Sequence, residues 1–516
     1  ATLTYDEVDG LYDGRGFQRY MFRANNDFNI NKKLSASLDV SIRHAKSRNQ
    51  IYDPFSTMRL MPAIYPAMWS DGRIASGKSG SNPYGLLKNG GSTVSHSTQL
   101  SGKGSLTYKP LTGLSLSAII SPFINYQKNK QFKLACWYTL PDDPDVIGGY
   151  LDAGSLYATD KLTVGRIDNW HVTSQLLANY MRTFGKHDIT VMAGFENYYM
   201  KSENLSAARD QYELTNYPFL NIGSEDFQTN SGTGAEYTSN SFFGRLLYSY
   251  ANRYLFQANV RRDGSSRFAK NYRWGTFPSF SAGWVMSEEP FMQKANLPWL
   301  SYLKLRASWG KLGNERIGSN YFPYIALMNF GSTLFYMADG SVVSGSTARP
   351  AVLAVEDITW ETTTSTDLGF DANFLNNRLH INFDYYWKKT TDMLLAIQIP
   401  YTMGYNSPNT NAGKMSTHGY DIDVSWQDHI GDFKYSVGLN FSDYLSKIDY
   451  LNNSDIISGG KVKRAGVLFN EFYGYVCDGI YQTQDEVQNS ARTSSSVTVG
   501  DLKYRDISGP DGVPDG

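Results

Sequence analysis

Two cysteines in 516 residues, Cys136 and Cys477, are too few and too far apart for a metal knuckle or a redox motif. A disulfide between them stays open as an alternative, and so few cysteines do not identify a compartment. An excess of one charge is also missing: 48 Lys and Arg stand against 49 Asp and Glu, a net charge of −1. That balance offers neither the broad basic field that nucleic acid requires nor an acidic tail. No run of about 18 apolar residues occurs, which excludes a helical membrane span. No charged-then-apolar leader opens the chain, so it reads as a mature protein or an internal piece of one.

Catalytic signatures are absent as well. The seven histidines include no H-E-x-x-H and no close pair, and there is no G-x-S-x-G elbow. Lone strand histidines such as His380 read as lumen or interface residues. Residues 72–79, GRIASGKS, match the phosphate-binding pattern G-x-x-x-x-G-K-[ST]. That loop needs a buried strand before it and a helix after it, so that the helix N-terminus faces the phosphate. WSD before it and GSNPYG after it are turn chemistry, and the segment reads as a surface loop. An enzyme is not expected.

Aromatic residues are plentiful: 37 Tyr, 27 Phe and 10 Trp, in a chain whose mean hydropathy is a polar −0.41. Alternation with period two reconciles the two facts. Leu34, Ala36, Leu38, Val40 and Ile42 share one face of 33–43, opposite Ser35, Ser37, Asp39, Ser41 and Arg43. Leu379, Ile381, Phe383, Tyr385 and Trp387 repeat the pattern, as do 420–426 and 433–441. Helical periodicity of comparable length is absent. We count about 14 such segments, many longer than a soluble strand and long enough for a tilted bilayer crossing of about 9–11 residues.

The connections alternate between short and long. Short links fall at 31–33, 110–113, 185–187, 252–253, 376–377 and 429–432, with a medium one at 288–301. Polar stretches at 47–97, 128–166, 202–238, 314–358, 394–411 and from 447 onward lie between them, with a tighter one at 263–272. This parity predicts an all-β fold: a transmembrane antiparallel up-and-down β-barrel with short periplasmic turns and long extracellular loops. A soluble sandwich or propeller lacks such asymmetry between its two ends. The chain ends on GPDGVPDG, a loop rather than an aromatic-ended strand, so residues 1–516 read as one incomplete barrel domain.

Two stretches carry a specific resemblance: GSSRFAKNYRWGTFPSFSAGWVMSEEPFM (264–292) and YLKLRASWGKLGN (302–314). They resemble the SusC/RagA-type TonB-linked transporters of the bacterial outer membrane. QRYMFRANNDFNI (18–30), WETTTSTDLGFDANFLNNRLHINFDYYWKKTTDML (360–394), GYDIDVSW (419–426), NEFYGYVCDGIYQTQDEV (470–487) and 500–516 agree with the same family, in order. The resemblance implies a barrel of about 22 strands, of which this chain supplies about 14 and lacks the plug domain and TonB box. It also implies a location in outer-membrane lipid, a SusD-like surface lipoprotein as a lid, and energy from the TonB–ExbB–ExbD complex. The implied function is import of a nutrient, an oligosaccharide first and an oligopeptide second. A siderophore or cobalamin receptor and a non-transporting adhesin are the alternatives.

Trp69, Tyr84, Trp137, Tyr138 and Tyr321 are the loop aromatics we select as candidate substrate contacts, since aromatic faces stack on sugar rings. Tyr150, Tyr212, Tyr217 and Tyr336 belong to the same long loops. No cofactor is expected beyond a structural calcium. The family's C-terminal loop runs D-x-N-x-D-G, with oxygen ligands at alternate positions. Here Asp506, Asp511 and Asp515 are the candidate ligands. Ser508 replaces the Asn and Pro510 is inserted, so a solvated turn is the favoured reading.

Overall fold

The computed structural model describes the chain apart from residues 79, 144, 152–158, 317–320, 327, 351–352, 397–398, 453–454 and 508–516. Fifteen long strands follow one another in chain order as neighbours. They are β1 Thr2–Asp9, β2 Gly16–Asn31, β3 Leu34–Gln50, β4 Gly91–Leu111, β5 Leu114–Lys133, β6 Lys161–Phe184, β7 His187–Asp210 and β8 Gln228–Tyr250. There follow β9 Tyr254–Ser265, β10 Trp274–Val285, β11 Leu300–Asn314, β12 Glu361–Phe374, β13 Leu379–Ala396, β14 Asn409–Ile430 and β15 Phe433–Leu451. The meander is the one expected, with fifteen strands in place of about 14. Among the described residues no helix is long and apolar enough to cross a membrane.

The tight turns are written locally. The Asn31 side chain accepts from the backbone N–H groups of Lys33 and Leu34, at 2.8 and 2.9 Å, and reverses the chain between β2 and β3. Gly113 has φ +86° in the turn before β5, where a Cβ would collide with the Met181 carbonyl. After β10, the SEEPFM segment forms a short helix, Pro290–Ala295, closed by left-handed Asn296. The Trp284 indole N–H donates to buried Glu289 at 3.1 Å and fixes the entry to that turn.

Contacts divide the chain into two units, Ala1–Pro278 with Ser319–Phe322, and Ser279–Gly318 with Pro323–Gly516. In the first, the register aligns Phe28, Ala36, Leu106, Ala118, Leu176, Phe195 and Phe242 in one row across seven strands. In the second, Leu305, Phe370, Phe383, Ile422 and Phe441 make a row across five. These residues are not a packed interior: Leu176 is 59% exposed and Phe441 56%. A row of exposed aliphatic and aromatic side chains on every strand is the face that lipid covers. Trp170 and Tyr180 bracket that face on β6, about 33 Å apart along the strand and about 25 Å along a membrane normal at ordinary tilt.

The strands exceed the membrane requirement. β6 and β7 have 24 residues each, about 60 Å of height at a 40° tilt against an apolar band of about 25 Å. Most of the expected loops are therefore shorter than the sequence indicated: 51–90 for 47–97, 134–160 for 128–166, and 211–227 for 202–238. Beyond the lipid neither face must be apolar, so alternation stops while the ladder of backbone hydrogen bonds continues. A further hairpin stands in the second unit's longest loop, Met328–Tyr336 paired with Val342–Pro350.

Candidate functional site

Opposite the apolar rows, every strand turns a polar face, and its side chains satisfy one another. In the first unit, Ser37 and Ser105 share a hydrogen bond at 2.7 Å and Ser97 donates to Asn125 at 2.9 Å. Glu196 accepts from Gln175 at 2.6 Å and from Arg261 at 2.9 Å. Arg261 also reaches Ser241 and Asp263, at 2.8 and 2.6 Å. In the second unit, Arg306 lies 2.9 Å from both Asp371 and Asp384. Gly369 makes room for this pair, since a Cβ there would meet the Asp384 carboxylate. His380 lies on this polar face, 2.9 Å from Asn373 and 2.9 Å from Gln427. A wall of this kind lines a wet route while leaving the backbone groups to the strand ladder.

A file of rings crosses the polar face of the first unit. Phe123 stacks on His171 at 4.5 Å and 12°. His171 is followed by Tyr198 at 5.4 Å, Tyr237 at 5.8 Å and the loop residue Tyr321 at 6.3 Å. The Arg267 guanidinium sits 4.3 Å over Tyr321 and 5.3 Å over Tyr237, a cation–π clamp that ties the loop ring to the strands. Arg267 is held in turn by its surroundings: Ser266 exchanges two hydrogen bonds with Thr238, both at 3.0 Å, and Phe268 is fully buried. The SSRF segment therefore folds back onto β8.

The long loops build a second feature. A small core of Leu86, Cys136 and Leu151 joins loop 51–90 to loop 134–160. Beside it lies a cavity of about 820 Å³, whose lining includes Arg48, Tyr84, Lys88, Phe132, Trp137 and Asp160. Gln50, Ser92 and Phe132 are register partners on the face that carries Ile42, Leu100 and Ile124 nearer the turns. The cavity thus sits beyond the apolar band and not on the polar face. Backbone and side-chain hydrogen bonds from Arg73 hold the nearby Asp71 carboxyl below its ordinary range. Burial pushes the Cys136 thiol up to about 12. Cys136 and Cys477 are both free, the first buried and the second exposed, so the disulfide alternative falls.

The selected loop aromatics part company here. Tyr84 and Trp137 line the cavity, and Tyr321 belongs to the ring file. Trp69 is a brace: its indole donates to the Thr139 carbonyl at 2.8 Å. Tyr138 packs against the small core. Tyr212 is buried and meets Phe132 edge-on at 5.2 Å. Phe123, His171 and Tyr198 were not selected because they lie on strands, and Tyr237 stands near the end of the stretch read as loop 202–238, which the structure extends as β8; the available signal was an aromatic ring at the polar parity of an alternating segment. Asp506 is half-buried just after the short strand Leu502–Tyr504, while Asp511 and Asp515 lie outside the described residues. GRIASGKS lies in loop 51–90; among the described residues no strand leads into it, while a short helix, Pro83–Asn89, follows where the sequence indicated only turns.

The family described as TonB dependent receptor-like, beta-barrel, matches residues 2–506. The chain is 27% identical to TonB-dependent receptor P26 of Formosa agariphila, over 99% of this chain and 51% of that one. It is 31% identical to TonB-dependent receptor SusC of Bacteroides thetaiotaomicron, over 59% and 31%. Among solved structures, that of the RagAB peptide transporter matches with a TM-score of 0.77 at 24% identity, over 93% of this chain and 53% of that one. The chain spans about half the length of these relatives, or less. From a family match across nearly its whole length, and a sheet with one face for lipid and one for water, the chain belongs to the TonB-dependent receptor-like β-barrels, is SusC/RagA-like, and lies in the bacterial outer membrane.

Proposed function

We propose that the protein imports an oligosaccharide across the outer membrane, driven by the TonB–ExbB–ExbD complex and lidded by a SusD-like surface lipoprotein. The observation that carries the reading is the polar face. Its hydroxyls, carboxamides and compensated ion pairs suit a neutral, hydroxyl-rich solute, and its rings suit the C–H faces of sugars. The barrel encloses and orients; it does no covalent chemistry. The lid reading draws on the hairpin at 328–350, where Phe330 is 83% and Tyr336 84% exposed. An isolated two-stranded hairpin is marginal in water, and exposed apolar residues from its base to its tip call for a cover.

The test is uptake by cells with the gene deleted and restored, with TonB present and absent, offering labelled oligosaccharides and oligopeptides side by side. TonB-dependent uptake of a glycan, with a lipoprotein co-purifying from gentle detergent, supports the reading. Peptide uptake replaces the substrate class. A barrel that co-purifies with no lipoprotein moves the siderophore or cobalamin receptor forward, and one that transports nothing moves the adhesin forward.

A further inference from the structure

We propose that Phe123, His171, Tyr198, Tyr237 and Tyr321 form one continuous stacking rail on which a neutral oligosaccharide enters from the extracellular side. The proposal rests on the glycan reading above and deepens it by naming the residues and the charge class. Four of the five rings come from four successive strands, β5 to β8. The register sets Phe123 opposite His171, His171 opposite Met200 and Met200 opposite Tyr237, in a single row on the polar face. Tyr198 lies one step along the same face. Centroid steps of 4.5, 5.4, 5.8 and 6.3 Å leave no gap in the file wide enough to break it into separate platforms.

Position and surroundings point the same way. His171 neighbours Trp170, a residue of the outer aromatic girdle, so the rail lies near the outer membrane surface, crosses four strands there and ends on a loop ring. An aromatic ring on the lipid face is favourable there, whereas on the water face each exposed Å² of ring costs about 25 cal/mol until something covers it. A run of five such rings on the wet side of the wall is therefore a surface that a ligand completes. The next polar-face row, one step toward the loops, is Gln99, Asn125, Asn169 and Ser202, with Ser202 donating to Asn169. Carboxamides and hydroxyls both donate and accept, as sugar hydroxyls do, and these four carry no charge. Nearest below, Glu196 is already neutralised by Arg261. Arg267 is a positioning residue: held over the last two rings, Tyr237 and Tyr321, it keeps Tyr321 on the rail.

The experiment uses the full-length protein, purified with whatever lipoprotein accompanies it. A neutral-glycan array first identifies a binding linkage, and Kd is then measured by calorimetry against oligosaccharides of increasing length. In the wild type, affinity rises with each added sugar until the rail is filled. Tyr198→Ala and Tyr237→Ala should each weaken the longest oligosaccharide about five- to tenfold, the scale of one lost ring contact. Tyr198→Phe should bind as the wild type does. Tyr321→Ala and Arg267→Met should leave short oligosaccharides unchanged and bring the length plateau down by one or two sugars, a change that general loss of packing does not produce. Heat-modifiable gel migration confirms that each variant is folded. A glycan that binds with affinity and length dependence untouched by the three alanine variants and Arg267→Met overturns the rail and leaves the glycan reading standing. No binding anywhere on the array, with peptides bound instead, overturns both.

Discussion

Ile120→Arg tests whether the apolar rows face lipid. Ile120 lies on β5, six residues above Leu114, the first residue after the turn at Thr112–Gly113, and is 54% exposed. Six residues correspond to about 20 Å of strand, or about 15 Å along the membrane normal at a 40° tilt, close to mid-band. An arginine at the midplane of a transmembrane barrel costs about 2–4 kcal/mol. At 1.4 kcal/mol per decade, the folding equilibrium should fall about 30- to 700-fold. Ser121, the next residue, points to the polar face, and Ser121→Arg should cost under about 1 kcal/mol. If water covered the apolar rows, the order would vanish, because replacing a half-exposed isoleucine by arginine on a wet sheet is near neutral. The assay is guanidinium titration of refolding into phosphatidylcholine vesicles, followed by tryptophan emission and gel migration, with equal m-values required before midpoints are compared. Ile120→Arg no more costly than Ser121→Arg would refute the assignment of the two faces.

Three further outcomes follow from the same geometry. Arg306→Met leaves Asp371 and Asp384 facing each other without their shared cation; about 1–3 kcal/mol should be lost, allowing for partial solvent screening, and adding Asp384→Asn should recover part of it. Strictly additive losses in that double-mutant cycle would count against a shared network. Cys136, with its thiol pushed up to about 12 and its side chain 2% exposed, should resist maleimide at pH 7.5 while exposed Cys477 reacts; equal labelling by intact-mass spectrometry would contradict the loop core. Replacing Met328–Pro350 by a short Gly-Ser linker should abolish co-purification of the lipoprotein while heat-modifiable migration persists; an undiminished complex would place the lid contact elsewhere.

The face pattern of the membrane strands was legible because lipid and water each demand a residue type every second position, as in Leu34–Ile42. The strand ends were not. Gln228–Gly234, QTNSGTG, has little β-propensity, yet it pairs residue for residue with Glu203–Arg209. Backbone hydrogen bonding to a neighbour already in place holds it there. In the loops, type alone did not separate brace from contact: Trp69 and Thr139 are seventy residues apart, and only their meeting shows that the indole is used up.

The ring file marks where sequence reading stops in a meander. One of its three registers follows from a tight turn: counting back from Gly185–Lys186 places His171 opposite Met200 with no structure in hand. The other two span long loops, 134–160 between β5 and β6 and 211–227 between β7 and β8, whose lengths do not set a register. Phe123 beside His171, and Tyr198 beside Tyr237, belong to those two. A one-residue slip in either pairing would send those rings to the lipid face, where they would read as girdle residues. The file exists because the loop-spanning registers agree in parity with the turn-set ones, a condition the apolar rows impose on every strand at once. The lipid-facing pattern, which was legible, therefore also decides which rings meet on the wet side, which was not.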